Sequence, residues 1–282
     1  MAALSTRFEP PVAFVLGGGG SLGAMQVGML EALSEHGIVP DLVVGTSVGA
    51  INGAVVAADP AGAAHRLSHI WSRLDTDRVF PHRVIQPVQS LLTHRGSLFS
   101  ESGLGRVLSA VLAGHDTFDD LALPLHVVTT DVASGLPLVI STGPLVPALL
   151  ASAAIPGVFP PVERDGRLLC DGGLVANVPL QQAVAAGARS LVVLDCTFPG
   201  HAPIPPGTLA ETMLFAATVV LRAQSAGTLA SLPPDITVLR IPGPAPVPVW
   251  PLGFHDTLAL IDASYEAARA FLAGAGTGSA AA

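Results

Sequence analysis

Twice near its start, the chain passes from a short apolar run through a glycine-rich turn into a helix-like segment. The first run, Val12–Leu16, leads into four glycines, and the second, residues 42–44, leads into a turn that contains Gly45 and Gly49. Between them, residues 22–36 carry apolar side chains at helical intervals. Parallel strands need a long crossover connection, usually a helix. Alternating strands and helices therefore predict a mostly parallel sheet covered by helices on both faces.

The rest of the chain continues this alternation. We predict one α/β domain over residues 1–282, with a three-layer α/β/α architecture. Further strands are predicted at residues 125–132, 137–141, 191–194 and 236–239. Further helices are predicted from the turn at residues 45–49 to Ala58, from a cap at Asp59-Pro60 to about Leu74, and over residues 254–272. Residues 75–100 are irregular and are interpreted as an insertion or cap. Residues 274–282 are rich in Gly, Ala and Ser and are expected to form a disordered tail.

The composition excludes several classes of protein. Half of the residues are hydrophobic and 12% are charged, the opposite of a disordered chain. All 13 basic residues are arginine, and the 21 acidic residues bring the net charge to −8. Such a chain has little from which to build the basic face that nucleic acids require. The lack of lysine beside abundant Ala, Gly, Pro and Arg indicates a GC-rich coding sequence and a bacterial source.

The sequence predicts no disulfide scaffold, metal site or membrane-spanning helix. Cys170 and Cys196 are too few for a disulfide scaffold, and their spacing matches no zinc motif. The longest uncharged stretch, residues 132–162, contains six prolines, which a continuous spanning helix does not tolerate. Residues 1–11 lack the apolar core of a signal peptide. We expect a cytoplasmic protein without a cofactor, in transient contact with a membrane surface at most.

Gly45, Ser47 and Gly49 form a G-x-S-x-G motif between the second apolar run and a small-residue helix. This placement is what a nucleophile elbow requires, because the serine hydroxyl must project from a tight strand-to-helix turn. The flanking glycines leave room for neighbouring strands and for substrate. A glycine-rich turn with a structural serine is the alternative interpretation.

A second glycine-rich segment, residues 17–23, opens the first predicted helix. Gly18, Gly20 and Gly23 fit G-x-G-x-x-G, which is also the fingerprint of dinucleotide-binding folds. Those folds place an acidic residue at the end of the second strand, whereas Asp41 precedes that strand here, which argues against NAD or FAD. Converging N–H groups at a helix start suit any anion, and beside a nucleophilic serine the natural anion is the oxyanion.

A third motif follows an apolar run later in the chain. Asp171 stands before Gly172 and Gly173. An Asp-Gly pair most often forms a turn. In an apolar setting the same aspartate is alternatively a positioned general base.

The remaining polar candidates carry weaker signals. His126 lies on an apolar strand and is interpreted as a core histidine, and Asp131 as a residue that ends a strand or positions a loop. His65 and His69 are four residues apart, but no carboxylate lies close enough in sequence to complete a metal site. Residues 241–251 are rich in proline, and a stiff connector is favoured over a hydrophobic rim that touches lipid.

Together, the three motifs resemble those of the patatin-like phospholipase family, in the same order and with similar spacing. Thr130-Asp131-Val132, residues 151–156 and Asn177-Val178-Pro179 are also similar to stretches of that family. The resemblance covers residues 12–195, the expected catalytic core. It leaves residues 196–273 as C-terminal helices and a strand that complete the fold.

The resemblance implies a lipid acyl hydrolase that uses a Ser-Asp dyad, with Ser47 as nucleophile, Asp171 as base and an acyl-enzyme intermediate. The oxyanion would be held by the backbone N–H groups of Gly18, Gly19, Gly20 and Val48. The chain departs from the family at Leu22, where Arg or Lys often precedes the last glycine of the loop. A cation at that place is therefore missing.

Other functions and another catalytic arrangement stay open from the sequence alone. The chain is alternatively a catalytically weak lipid-binding relative, or a nucleotide-binding module that uses the glycine-rich loop. A conventional triad would need a histidine after Asp171, and His201 and His255 are the two candidates.

Overall fold

The computed structural model describes residues 7–74, 102–196, 207, 209–244 and 253–276. The strands in this part of the chain are β1 (Val12–Leu16), β2 (Leu42–Thr46), β3 (Leu125–Asp131), β4 (Leu136–Ile140), β5 (Val162–Arg164), β6 (Arg167–Asp171), β7 (Ser190–Leu194) and β8 (Thr237–Ile241). The helices are α1 (Ala24–Glu35), α2 (Val48–Ala58), α3 (Ala63–Trp71), α4 (Ser102–Val111), α5 (Leu145–Ser152), α6 (Gly173–Ala176), α7 (Leu180–Ala185), α8 (Leu209–Ala230) and α9 (Thr257–Gly276). The predicted insertion at 75–100 and residues 277–282 of the predicted tail lie outside the described residues, whereas residues 274–276 of that tail belong to α9 and are helical, not disordered.

The described strands form one mixed sheet in the order β5-β6-β3-β2-β1-β7-β8, and β4 also pairs with β3. The run from β3 through β2, β1 and β7 to β8 is parallel throughout. Antiparallel pairs join β3 to β4, β3 to β6 and β5 to β6. The α/β fold with a largely parallel central sheet is thereby confirmed. The hairpin of β5 and β6 was not predicted.

Helices cover both faces of the sheet, and alternate residues of β1 show the two layers. Phe14 and Leu16 pack in a cluster with residues of α1, α2 and α9, whereas Ala13 and Val15 pack with residues of α6 and α7. Successive side chains of a strand point to opposite faces, so a strand covered on both sides must be apolar at every position. This is why the central strands read as short continuous apolar runs.

The C-terminal helix α9 packs closely against α1, on the same face of the sheet. The approach is close because α1 has a glycine at Gly28. A Cβ on Gly28 would lie 2.6 Å from the backbone nitrogen of Tyr265 and closer still to the Ile261 carbonyl oxygen. Ser264 fixes the same contact, since its hydroxyl donates to the Met25 carbonyl at 2.8 Å.

Helix α8 was not predicted from the sequence. Among its side chains that the structure describes, Phe215, Val219 and Val220 are exposed, and the apolar ones do not form a single buried stripe. Periodicity analysis depends on one buried face, so such a helix gives little signal. Within the described residues, no helix combines the length and the apolar character needed to span a bilayer.

We expect Gly28→Ala to lower the free energy of unfolding by about 1–3 kcal/mol, because a methyl group there must push α9 away from α1. Gly227→Ala is the matched control, since a Cβ at Gly227 in α8 meets no atom within 4 Å. The control should raise stability by up to about 1 kcal/mol through helix propensity. Urea unfolding of both variants measures the difference, and equal effects would contradict the close packing.

Candidate active site

The three sequence motifs meet at one edge of the sheet. Because β1 and β2 are parallel, the turns that follow them lie at the same edge. The first turn is the glycine-rich loop and the second holds Ser47. β6 ends at Asp171, which faces Thr129 across the antiparallel pair with β3. A Cβ on Gly18 would lie 3.2 Å from the Ser47 Cβ, so the loop and the serine are in contact.

Ser47 occupies a strained turn between β2 and α2. Its φ of 56° and ψ of −127° place a non-glycine residue in a region that L-residues rarely adopt. The two motif glycines make the turn possible. A Cβ on Gly45 would lie 2.6 Å from the Cα of Ala50, and one on Gly49 would lie 2.5 Å from the Gly17 carbonyl oxygen.

A buried serine outside the motifs holds the main chain of this turn. The Ser47 backbone N–H donates to the Ser152 hydroxyl at 2.8 Å, and that hydroxyl donates to the Val128 carbonyl at 2.6 Å. Ser152 is the last residue of α5 and is fully buried. The stretch at residues 151–156 contains this residue, but sequence reasoning assigned it no role.

The Ser47 hydroxyl donates directly to Oδ2 of Asp171 at 2.6 Å. The other carboxylate oxygen, Oδ1, accepts from the Gly173 backbone N–H at 2.7 Å. The sequence left two interpretations of Asp171 open, a turn-forming residue and a positioned carboxylate. In the structure the same carboxylate both accepts a hydrogen bond within the Asp-Gly-Gly turn and contacts Ser47. Burial raises the pKa of Asp171 to about 6, against the opposing effect of the hydrogen bonds from Ser47 and Gly173.

Gly172 lets β6 and α6 approach β3. A Cβ there would collide with the carbonyl of Val128 and would lie 3.1 Å from Cγ2 of Thr46. The Thr130 hydroxyl also donates to the Asp171 carbonyl at 2.8 Å. These contacts fix the main chain around Asp171 against β3.

The glycine-rich loop corrects one part of the oxyanion prediction. The Gly18 N–H donates to the carbonyl of Asn177 at 3.0 Å and is engaged within the protein. Gly20, with a φ of 60°, begins a short 3-10 turn over Gly20–Gly23. Gly20 and Val48 lie beside Ser47 in the wall of a cavity, where their N–H groups are at the start of helical turns.

Asn177 is a site residue whose role the sequence did not reveal. Its backbone N–H donates to Oε1 of Gln224 at 2.9 Å. Its Oδ1 lies close to two motif glycines, since Cβ atoms on Gly18 and Gly173 would come within 2.7 and 3.2 Å of it. Its Nδ2 is buried and has no hydrogen-bond partner in the described structure. The similarity of Asn177-Val178-Pro179 to the family was the available signal.

Leu22, the departure from the family pattern, is buried with 2% of its surface exposed. It belongs to the core cluster on the α1 face of the sheet. A charged side chain in the same orientation would be buried without water, which is costly unless it is paired. The leucine therefore fits the apolar packing around the loop.

Ser47 opens onto an apolar cavity of about 770 Å³, which includes space open to solvent. Apolar side chains from α2, α3, α4 and the segment after α5 dominate the lining, which contains Gly20, Ser47, Val48, Ile51, Asn52, Val55, Leu67, Ile70, Trp71, Leu74, Leu104, Val107, Leu108, Val111, Ala153, Ile155, Phe159 and Phe254. None of these lining residues carries a charge.

None of the other candidates within the described residues lines this cavity. His255 is exposed just before α9, and His201 lies outside the described residues. His126 is half-buried on β3, and burial lowers its pKa. His65 and His69 are exposed on α3. In the part of the chain that the structure describes, no three potential metal-ligating side chains cluster.

Two acidic candidates stabilise local structure. Asp131 accepts from the Ala133 N–H at 3.0 Å and pairs with Arg167 at 2.8 Å, and the hydrogen bond from Ala133 is the main cause of its lowered pKa. Asp41 accepts from the Val12 N–H at 2.7 Å, at the opposite edge of the sheet from the glycine-rich loop. It is therefore not placed to bind a ribose beside that loop.

Comparison with known proteins now identifies the family. The family model for patatin-like phospholipases matches residues 14–184, which is more than half of the chain and includes both Ser47 and Asp171. The chain belongs to the patatin-like phospholipase family. Its membership confirms the resemblance drawn from the three motifs.

The similar proteins differ in length from this patatin-like chain. Patatin-like phospholipase domain-containing protein 6 of Mus musculus is 35% identical over 187 residues, 65% of this chain but 13% of that protein. An uncharacterized NTE family protein of Mycobacterium bovis is 33% identical over 198 residues, 69% of this chain and 52% of that protein. The chain therefore matches at most about half the length of these two relatives.

The fold resemblance extends to a solved structure. VipD from Legionella pneumophila superimposes with a TM-score of 0.50 at 15% sequence identity, over 95% of this chain and 68% of that chain. At this level of identity the likeness supports the fold only. It agrees with the α/β architecture described above.

The pKa of Asp171 predicts an unusual dependence of stability on pH. The folded-state pKa of about 6 exceeds the ordinary 3.8, so the cost of burying the carboxylate is fully present above pH 6 and disappears as the pH falls below about 4. Asp171→Asn should therefore raise the free energy of unfolding at pH 8 by about 1–3 kcal/mol, and by less at pH 5.

Asp131→Asn is the control of opposite sign. The pKa of Asp131 is lowered, so its ionised form stabilises the folded state at neutral pH, and this variant should be less stable than the parent at pH 8. Chemical unfolding at both pH values measures the two variants. A loss of stability in Asp171→Asn at pH 8 would contradict the assigned burial cost.

Proposed function

We propose that the protein is a serine acyl hydrolase that cleaves lipid esters, of the phospholipase A, lysophospholipase or esterase type, through a Ser-Asp dyad. The observation that carries the proposal is the 2.6 Å hydrogen bond from the Ser47 hydroxyl to Asp171, at the wall of an apolar cavity. Membership of the patatin-like phospholipase family supports a lipid substrate. The finer assignments below are part of this proposal.

Acylation begins when Oγ of Ser47 attacks the ester carbonyl carbon and Oδ2 of Asp171 accepts the hydroxyl proton. The carbonyl oxygen becomes an oxyanion, which the N–H groups of Gly19, Gly20 and Val48 stabilise. Removing one such donor typically costs about 10²–10³-fold in rate. The carbon–oxygen bond to the alcohol then breaks, the alcohol takes the proton from Asp171, and the acyl group stays on Ser47.

Deacylation repeats the sequence with water as the nucleophile. Asp171 accepts a proton from water as the water oxygen attacks the acyl carbon, and the same N–H groups hold the second oxyanion. Collapse releases the carboxylic acid, and Oγ of Ser47 recovers a proton from Asp171. No histidine or metal ion takes part in this scheme.

The environment of Asp171 makes a carboxylate a usable base. At an ordinary pKa near 3.9, a carboxylate is a poor acceptor for a serine proton. Burial raises its pKa to about 6, closer to the operating pH that favours general-base catalysis. Meanwhile, the hydrogen bond from the Gly173 N–H keeps the carboxylate oriented toward the serine.

The cavity explains why the substrate should be a lipid. Its lining is uncharged and mostly apolar, so burial of an acyl chain gains about 0.8 kcal/mol per methylene. The polar part of an ester would stay at the mouth near Ser47. The expected transient contact with a membrane surface stays a prediction.

We expect Ser47→Ala to abolish hydrolysis of medium-chain p-nitrophenyl esters, and Asp171→Asn to lose about 10²-fold or more, because its amide cannot accept the proton. The matched control is His255→Ala, which should stay within about tenfold of the parent, since its side chain is exposed and does not line the cavity. EDTA should leave the parent's activity unchanged. A dead His255→Ala with an active Asp171→Asn would replace the dyad by a triad.

The alternatives make different predictions for the parent protein. A catalytically weak lipid-binding relative would bind fluorescent fatty acids but would not label with a fluorophosphonate, which reacts only with an activated serine. A nucleotide-binding module would show saturable binding of NAD or ATP. Labelling at Ser47 without nucleotide binding would exclude both.

The pH dependence of the reaction follows from the state of Asp171. Only the ionised carboxylate can accept the serine proton, so kcat/KM should rise with pH through about 6 and level off above it. Initial rates from pH 4.5 to 8.5 with a neutral ester measure this profile. A flat profile between pH 5 and 7 would show that Asp171 is not the titrating base.

A further inference from the structure

Three buried polar side chains lie beneath the glycine-rich loop, and the proposed mechanism does not use them. Gln26 is on α1, Asn52 is on α2, and Trp71 is the last residue of α3. Their exposed fractions are 0%, 1% and 3%. Buried polar groups are costly unless they are paired, so their partners show what they hold in place.

The chemistry of the indole fixes the orientation of both carboxamides. Trp71 has only a donor, and its Nε1–H donates to Oδ1 of Asn52 at 3.0 Å. The amide nitrogen of Asn52 must then face the other way, where it donates to Oε1 of Gln26 at 2.8 Å and to the Gly23 carbonyl at 3.0 Å. This leaves Nε2 of Gln26 to donate to the carbonyls of Gly17 and Leu194, at 2.8 and 3.0 Å.

Every side-chain N–H group of the three residues has an acceptor. Its five N–H hydrogens make five hydrogen bonds, and each carboxamide oxygen accepts one of them. Fully paired buried networks of this kind impose one arrangement on their surroundings. An apolar replacement of Gln26 would remove its hydrogen bonds to the carbonyls of Gly17 and Leu194, and the Leu194 carbonyl would then accept from the Gly17 N–H alone among the described hydrogen bonds.

The network binds the two ends of the oxyanion loop. Gly17 is the first residue after β1 and Gly23 the last residue before α1, and both of their carbonyls accept from it. Glycines have the largest backbone freedom of any residue, so contacts that fix both ends of a loop of this composition limit the conformations open to it. Gly19 and Gly20, the proposed oxyanion donors, lie between these two anchors.

The far end of the network is part of the cavity wall. Both Asn52 and Trp71 line the cavity, whereas Gln26 does not. The indole also stacks on Phe254, another lining residue, with ring centroids 5.9 Å apart. The same chain of hydrogen bonds thus runs from the acyl cavity to the loop.

We propose that Gln26 and Asn52 are positioning residues that hold the oxyanion loop in its catalytic geometry, with Trp71 anchoring them to the cavity wall. This inference rests on the proposed acyl-hydrolase function. Gln26 contacts the loop but does not line the cavity. Its loss should therefore lower kcat and leave KM nearly unchanged, because transition-state stabilisation depends on loop geometry while chain binding depends on the cavity.

The test uses Gln26→Met, which keeps the length and removes every hydrogen bond, and Trp71→Phe, which keeps an aromatic wall and removes the donor. Ser190→Ala is the matched control, because Ser190 is also fully buried. The substitution removes the hydrogen bond from its hydroxyl to the Glu9 carbonyl, which lies at the opposite edge of the sheet from the loop. For each protein, fluorophosphonate labelling to completion counts the active sites. kcat per titrated site and KM are then measured with p-nitrophenyl octanoate.

We expect Gln26→Met to lower kcat per site by about tenfold or more, with KM within about threefold of the parent. Trp71→Phe should lower kcat by a smaller factor, and Ser190→Ala should leave kcat unchanged. Misfolding reduces the number of titrated sites and not kcat per site, so it does not imitate the expected result. If Gln26→Met yields no folded protein, the kcat of Trp71→Phe tests the inference: a lowered value supports it and the parental value overturns it.

Parental kcat in both network variants, or a change confined to KM, would overturn the inference while the proposed function stands. An equal loss in Ser190→Ala would also overturn it, since any buried hydrogen bond would then have the same effect. A parent protein that neither labels nor hydrolyses the ester would instead refute the proposed function, and the inference with it. The two failures are therefore distinguishable.

Discussion

The hydrogen bond between Ser47 and Asp171 is the interaction on which the rest of the site depends. It joins the end of β2 to the end of β6, across β3, and its length of 2.6 Å leaves no room for an intervening residue. The approach requires main chain to pass main chain, which is why Gly45, Gly49 and Gly172 stand where a Cβ would meet backbone atoms. The motif glycines are thus explained by packing as well as by chemistry.

The same contact has a cost that the fold must offset. Ser47 has a strained backbone, and burial disfavours the ionised form of Asp171. Strain and burial of this kind persist where the surroundings impose the geometry. Here the Ser152 hydroxyl accepts from the Ser47 N–H, and the Gly173 N–H donates to the Asp171 carboxylate. An apolar sheet covered on both faces supplies the rigidity. Burial of the ionised Asp171 thus lowers the stability of the folded state, at the position where the proposed reaction needs a basic carboxylate.

Much of this arrangement could be predicted from local sequence. The central strands are continuous apolar runs, and the elbow, loop and Asp-Gly-Gly motifs follow strand ends, so local pattern was enough to find them. The engagement of the Gly18 N–H with Asn177, and the contacts of Gln26 with Asn52, join residues far apart in sequence and leave no local signal. Helix α8 was not predicted for a different reason, since its described apolar side chains do not form a single buried stripe.

The central claim is that Ser47 carries the acyl group during turnover, and the acyl-enzyme can be observed directly. The parent and Asp171→Asn are mixed with p-nitrophenyl octanoate, quenched in acid within milliseconds to seconds, digested and analysed by mass spectrometry. The account predicts an octanoyl group on the peptide that contains Ser47 in the parent, and little or none in Asp171→Asn over the same interval. Turnover without an acylated Ser47, or an acyl group on another residue, would contradict it.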